Sequence, residues 1–201
     1  MNQQSRCFIA RGSRVVLRDP LPSDADRWIH WQTHGEWRLY DAPWEGVHDA
    51  LTKEQENRIR ARFLERCDNL ALPRTRAIIC TKNDKPLGWV SRYSQERFPD
   101  AWFVGINICE DGYLSKGIGT EALELWVDYL FSNSTIHRIG LDTWSFNTRM
   151  MHVAEKVGFV LEGAQRGMIR WQDEWLDWVH FGIVRGKCTQ QSSGHSARPE
   201  V

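Results

Sequence analysis

Twice in the middle of this chain an apolar, strand-like run gives way to a helical repeat through a short loop of glycines and polar residues. Residues 101–109 lead through 110–116 into a helix predicted over 117–132, and residues 136–144 lead through Ser145 and Phe146 into a helix over 147–157. In the first helix Ile118, Ala122, Trp126 and Tyr129 line one face while Glu121, Glu124 and Asp128 line another, the 3.6-residue period of an amphipathic helix. In the second, Met150, Met151, Val153, Ala154 and Val157 recur at helical spacing, and Gly158 stands where a glycine ends a helix. Strands that flank two helices and are followed by a hairpin specify a mixed α/β sheet.

The remaining segments extend that sheet to about seven strands with flanking helices. Residues 14–18, 75–82 and 86–95 are predicted strands, the last two joined by the polar turn Lys82 to Lys85. Two final strands over 159–171 and 175–185 meet at the Gln172-Asp173-Glu174 turn. Ser23 with Asp26 and Thr52 with Gln55 have capping-box spacing, so they predict two early helices. Trp28, Ile29 and Trp31 are the apolar residues of the first, and Ile59, Phe63 and Leu64 point inward from the second, which runs to about Cys67. One domain over 13–186 is expected, with a flexible N-terminus over 1–12 and a disordered polar tail over 187–201.

Charge narrows the function. The 201 residues carry 26 Lys plus Arg and 26 Asp plus Glu, and this balance lacks the basic surplus of a nucleic-acid binder. No apolar run reaches the roughly 18 residues of a membrane span, and the first residues lack a secretory apolar core. A cytoplasmic location is therefore expected. The five cysteines are scattered without a C-x-x-C pair, which suggests neither a disulfide framework nor a metal site. Eleven tryptophans invite two readings, core filling and ligand stacking.

Gly117 and Gly119 sit where the first strand–helix handover turns, with Lys116 and Thr120 beside them. Glycines there let several N–H groups converge on one point, where the helix dipole also favours an anion. A plain tight turn uses the same glycines. The spacing is not that of a P-loop, and the third glycine of a dinucleotide fingerprint is missing. Asn147 occupies a position suited to an N-cap or to a ligand contact.

Taken together, these segments resemble the GNAT superfamily of acyl-CoA N-acyltransferases. Leu114 to Ala122 matches its pyrophosphate loop, and Asn147 to Phe159 matches its second motif. Val16 to Asp26 and the closing hairpin from Gly163 to Ile183 are similar to the RimJ/RimL-type branch, whose named members acetylate protein N-termini. The resemblance implies a mostly antiparallel sheet in which strands 101–109 and 136–144 lie parallel and splay apart. It implies that Leu114, Ser115, Lys116, Gly117, Ile118, Gly119 and Thr120 hold the pyrophosphate of coenzyme A. Ile106, Ile108 and Cys109 would pair with the pantetheine arm, and Asn147 would hydrogen-bond it.

The implied reaction moves an acetyl group from acetyl-CoA to a primary amine, of a small molecule or a peptide N-terminus, by direct attack. That amine needs a base, the oxyanion a donor and the leaving thiolate an acid. The tyrosine that many members place before Glu-Lys is Ala154 here, which leaves Ser145, His152 or solvent as the acid. Asp41 and Glu174 are the candidate bases, although for each the solvated surface carboxylate is the favoured reading; His30, His34 and His48 are further titratable groups. Trp37, Tyr40, Trp44 and Trp171 form a candidate aromatic pocket for a cationic amine. A non-catalytic acyl-CoA-binding module of the same fold is the alternative. Many tryptophans on an uncharged chain also suggest a homodimer.

Overall fold

A computed structural model describes residues 7–45 and 50–186. His48, the tail over 187–201 and the first six residues lie outside that range. Eight strands form one sheet in the order β1-β2-β3-β4-β5-β6-β8-β7. They are β1 (Phe8–Arg11), β2 (Val15–Arg18), β3 (Arg76–Thr81), β4 (Pro86–Gln95), β5 (Phe98–Ile108), β6 (Arg138–Trp144), β7 (Val160–Trp171) and β8 (Glu174–Val184). Four α-helices accompany them: α1 (Ala25–Trp31), α2 (Lys53–Asp68), α3 (Ile118–Ser132) and α4 (Thr148–Val157).

The sheet has one strand more than the seven or so expected, and that strand falls within the N-terminal stretch 1–12. Phe8–Arg11 pairs antiparallel with β2, Arg11 opposite Val16, after a turn in which the Gly12 N–H donates to Val15 O at 2.9 Å. Four residues are too few to display a period of two, so only the turn betrays the strand.

Alternation along the strands builds a core on each face. Val15, Leu17, Ala77 and Ile79 face α3, which buries Leu123, Trp126 and Leu130 against them. Ile78, Cys80 and Trp89 face the other way, under Trp28 and Trp31 of α1 and Phe63 of α2. The Trp28 and Trp89 rings lie 4.5 Å apart, centroid to centroid. These tryptophans fill the core.

Local capping follows the sequence in α2 and departs from it in α1. The Gln55 N–H donates to Thr52 Oγ1 at 3.2 Å while the Thr52 N–H donates to Gln55 Oε1 at 2.8 Å, a complete capping box. Ser23, the expected cap of α1, instead lies within a 3-10 turn, Pro22–Asp24, and Asp24 takes the N-cap position. Its carboxylate is committed elsewhere. It accepts from Arg18 Nη1 and Nη2 at 2.7 and 2.9 Å and from the Leu21 N–H at 2.8 Å. Arg18 is 2% exposed, and a buried guanidinium needs a counter-charge more than a short helix needs a cap.

One irregularity of the sheet positions the site. Strands β5 and β6 run parallel but pair only at Ala101, Trp102 and Phe103, opposite Arg138, Ile139 and Gly140. Beyond that point β5 stays bonded to β4 as far as Ile108, and β6 stays bonded to β8 as far as Trp144. The two half-sheets diverge, and a wedge opens between them.

Candidate functional site

The wedge is part of a cavity of about 520 Å³. Val104 to Ile108 of β5 form one wall and Leu141 to Trp144 of β6 the other. The start of α3, one face of α4 and the aromatic segment around Trp37 and Tyr40 complete it.

Backbone polarity on β5 follows from its register. The Cys109 N–H donates to Leu87 O of the β4 side at 2.8 Å, so the pleat turns the N–H groups of Ile106 and Ile108 toward the edge that β6 has left. Those two residues line the cavity. Cys109, expected beside them, is buried outside the lining with its N–H already spent on the sheet; burial also pushes its thiol pKa well above the ordinary value. Parity along the strand separates it from Ile106 and Ile108.

The α3 start has the expected turn. Gly117 takes the N-cap position at φ 75°, and Ser115 just before it has φ 57°. The first intrahelical bond runs from the Glu121 N–H to Gly117 O at 3.2 Å, so the amides of Ile118, Gly119 and Thr120 precede the ladder. Leu114, Ser115, Gly117, Gly119 and Thr120 line the cavity, whereas the Ile118 side chain enters the core and the Lys116 ammonium lies 5.7 Å from the Tyr113 ring. A Cβ on Gly119 would meet only Ile108 and Ile106 carbons at 3.7 and 4.0 Å, ordinary contacts. Packing therefore does not require glycine there.

Asn147 takes the expected N-cap position. It caps α4, accepting from the Met150 N–H at 3.1 Å, and it lines the cavity. The aromatic segment closes over it. Arg149 Nη2 donates to Tyr40 Oη at 2.8 Å, and Trp37 stands edge-on to Trp89 at 5.1 Å. Trp44 packs on Trp144 at 4.7 Å and near Trp171 at 5.9 Å, behind the Trp144 wall.

Of the two candidate bases, Asp41 lines the cavity and Glu174 does not. Asp41 remains open to solvent at the mouth, yet enclosure by the walls raises its pKa above the usual carboxylate value, partly offset by a hydrogen bond from Asn107. Glu174 is exposed at the β7–β8 turn, away from the lining. Ser145 is occupied in joining β6 to β8, its Oγ accepting from the Asp177 N–H at 3.0 Å. His152 does line the cavity, with Nδ1 2.9 Å from Thr148 O.

Two features escaped the sequence. Arg14, in the β1–β2 turn, places its guanidinium where a Cβ on Gly117 would fall, adding a cation to the α3 start. Asp142 faces the cavity with Oδ1 2.8 Å from His180 Nδ1, while His180 Nε2 is buried with no hydrogen-bond partner. These residues are cross-strand neighbours on β6 and β8, and only register brings them together. Among the described residues no cluster of His, Cys, Asp and Glu is arranged to hold a metal, and no helix is long and apolar enough to cross a membrane.

Comparison with known proteins agrees with this geometry. A protein of Bacillus subtilis (strain 168) described as probable N-acetyltransferase YjcK is 34% identical over 108 residues; the match covers 53% of this chain and 59% of that protein's length. The ribosomal-protein-S5-alanine acetyltransferase of Vibrio fischeri superposes with a TM-score of 0.69 at 24% identity, over 90% of this chain and 98% of the other. The spermidine N-acetyltransferase of Vibrio cholerae, solved in complex with CoA and spermine, gives a TM-score of 0.68 at 18% identity, over 88% and 98% of the two chains. The family model for the acetyltransferase (GNAT) domain matches residues 14–160. The chain belongs to the GNAT acetyltransferase family.

Proposed function

We propose that this protein is an acyl-CoA-dependent N-acetyltransferase that moves an acetyl group from acetyl-CoA to a primary amine. The observation that carries the proposal is the β5–β6 wedge, whose free β5 edge leads to the uncommitted amides at the start of α3. A pantetheine arm is an extended chain with amide groups, and an open strand edge is what such a chain bonds. Beyond the edge, the Ile118, Gly119 and Thr120 amides and the Arg14 guanidinium suit a diphosphate. The fit is also steric, since Gly119 is bare where packing would accept a side chain.

Within that reading, Asp41 receives the proton of the incoming ammonium, directly or through one water, and Trp37 and Tyr40 shield the reacting carbons from bulk solvent. The Ile106 N–H faces the slot where an oxyanion would need a donor. Asp142, oriented by His180, is the second carboxylate in reach of the same cavity. Solvent, or His152 at the wall, supplies the acid that Ala154 lacks. The acceptor is a small-molecule amine or a peptide N-terminus; the spermidine and ribosomal-protein enzymes of like fold bracket those classes. Membership of the RimJ/RimL-type branch, a cytoplasmic location and a homodimer belong to the same proposal.

Ala154 favours one other reading, an acyl-CoA-binding module without turnover. Release of free thiol from acetyl-CoA in the presence of a panel of amines separates the two. Acetylated product establishes the enzyme, and coenzyme A binding with no product from any amine establishes the module.

A further inference from the structure

A second cavity of about 240 Å³ lies at the far end of α2, away from the α3 start. Its lining contains Arg66, Arg74, Arg76 and Arg92 and no carboxylate. Arg74 is neutralised by Asp19, with Nε and Nη2 at 2.7 and 3.0 Å from its carboxylate oxygens. Arg92 spends its guanidinium on the carbonyls of Pro73 and Arg74, at 2.8 and 3.1 Å, and stacks on Trp102. Arg76 has no such ion pair or carbonyl contact among the described residues; it sits half-buried at the start of β3 with its guanidinium over the Trp28 ring, 4.9 Å from the centroid. No acidic side chain forms an ion pair with Arg66, Arg76 or Arg92 among the described residues.

Removing a guanidinium from water without a counter-ion is costly, and placing a second one beside it adds to the cost. Burial and the nearby Arg66 push the Arg76 pKa down to about 10, the signature of a cation lacking its anion. The rest of the lining offers donors. Thr75 and Ser91 contribute hydroxyls, and Tyr93 a phenol.

We propose that this arginine-lined cavity binds an oxyanion, a carboxylate or phosphate group, seated on Arg76 with Arg66 at its mouth. The ligand completes the charge balance that Arg76 lacks, and the inference stands independently of acetyl transfer. Melting of the full chain in low-salt buffer, with sodium phosphate titrated against sodium chloride of equal ionic strength, tests it directly. Phosphate at about 10 mM raises the melting temperature by roughly 3 °C or more over chloride. Arg76→Gln loses most of that rise and melts no lower than the parent in chloride, since it removes an unpaired charge. Arg66→Gln, at an exposed position, weakens the rise without disturbing the fold. The rise persists in Gly119→Val, which separates it from anion binding at the α3 start.

Calorimetry with the C-terminally amidated peptides Ala-Glu-Glu and Ala-Gln-Gln, only the first of which carries carboxylates, identifies the source of the oxyanion. A roughly tenfold preference for the acidic peptide, worth about 1.4 kcal/mol and abolished by Arg76→Gln, assigns the oxyanion to a peptide carboxylate. A phosphate effect without that preference assigns the cavity to a separate small anion. If phosphate stabilises no more than chloride and neither peptide is preferred, or if Arg76→Gln retains both effects, the proposal is overturned.

Discussion

Asp41 carries a cost that its function would explain. Because the folded state raises its pKa, the folded state holds the proton more tightly than the unfolded chain does. Its contribution to stability is therefore present below the unfolded pKa and disappears as pH rises through the folded one. Asp41→Asn removes that penalty near neutrality, so its melting temperature should not fall. Acetyl transfer should fall steeply, by about 10²-fold or more for loss of a general base, and the acid limb of the parent's pH–rate profile should vanish. Undiminished transfer in Asp41→Asn would remove it from the mechanism and leave Asp142 as the carboxylate to test. Asp24 makes the opposite case. Asp24→Ala strands Arg18 in the interior and should cost about 3–5 kcal/mol in denaturant unfolding, less whatever Asp84 recovers through its 2.7 Å contact with Arg18 Nε. Neither Asp24 nor the Asp142–His180 pair was legible in the sequence. Each depends on a partner brought close by the fold, and Asp142 and His180 lie on different strands.

Single elements divide cleanly between those that carry their own instructions and those that do not. Thr52 and Gln55 write the start of α2 in four residues, and Thr52→Ala should cost about 1 kcal/mol of stability. The paired glycines of α3 have different duties. Gly117→Val forces a branched side chain to φ 75° against Arg14, so it should destabilise the fold by about 1–3 kcal/mol. The Cβ that Gly119→Val adds meets only ordinary contacts, so melting should hold while the stabilisation by coenzyme A disappears. An unchanged coenzyme A titration in Gly119→Val would withdraw the loop from the binding site. The strand–glycine–helix handovers were legible because period, turn residues and cap all agree over a few positions. The first strand was not, being four residues long and dependent on β2 for its bonds. The arginine cavity was equally hidden, since its members come from α2, the following loop, β3 and β4.

At the scale of the whole molecule, strand β7 is an edge, and Val160, Leu161, Met168 and the neighbouring Trp175 are exposed at 50–66%. A homodimer would cover such residues, and Trp175→Glu should then shift the mass measured by light scattering toward the monomer. A monomeric parent at all micromolar concentrations would dismiss that assembly. The arrangement of half-sheets was legible only through family resemblance, because no local pattern records where two parallel strands stop pairing. Its mechanical consequence reaches beyond binding. Two plates of sheet, β1–β5 and β6–β8–β7, share a weld of three residue pairs, Ala101 to Phe103. A ligand bonded along the free edge of β5 would act as a gusset across that joint and oppose torsion between the plates. Hydrogen exchange at Ile106 and Ile108 should therefore slow on adding coenzyme A, while exchange in β3, remote from the joint, stays the same. The chain would then be stiffest while it holds its ligand, and the joint is where torsional load would first part the empty protein.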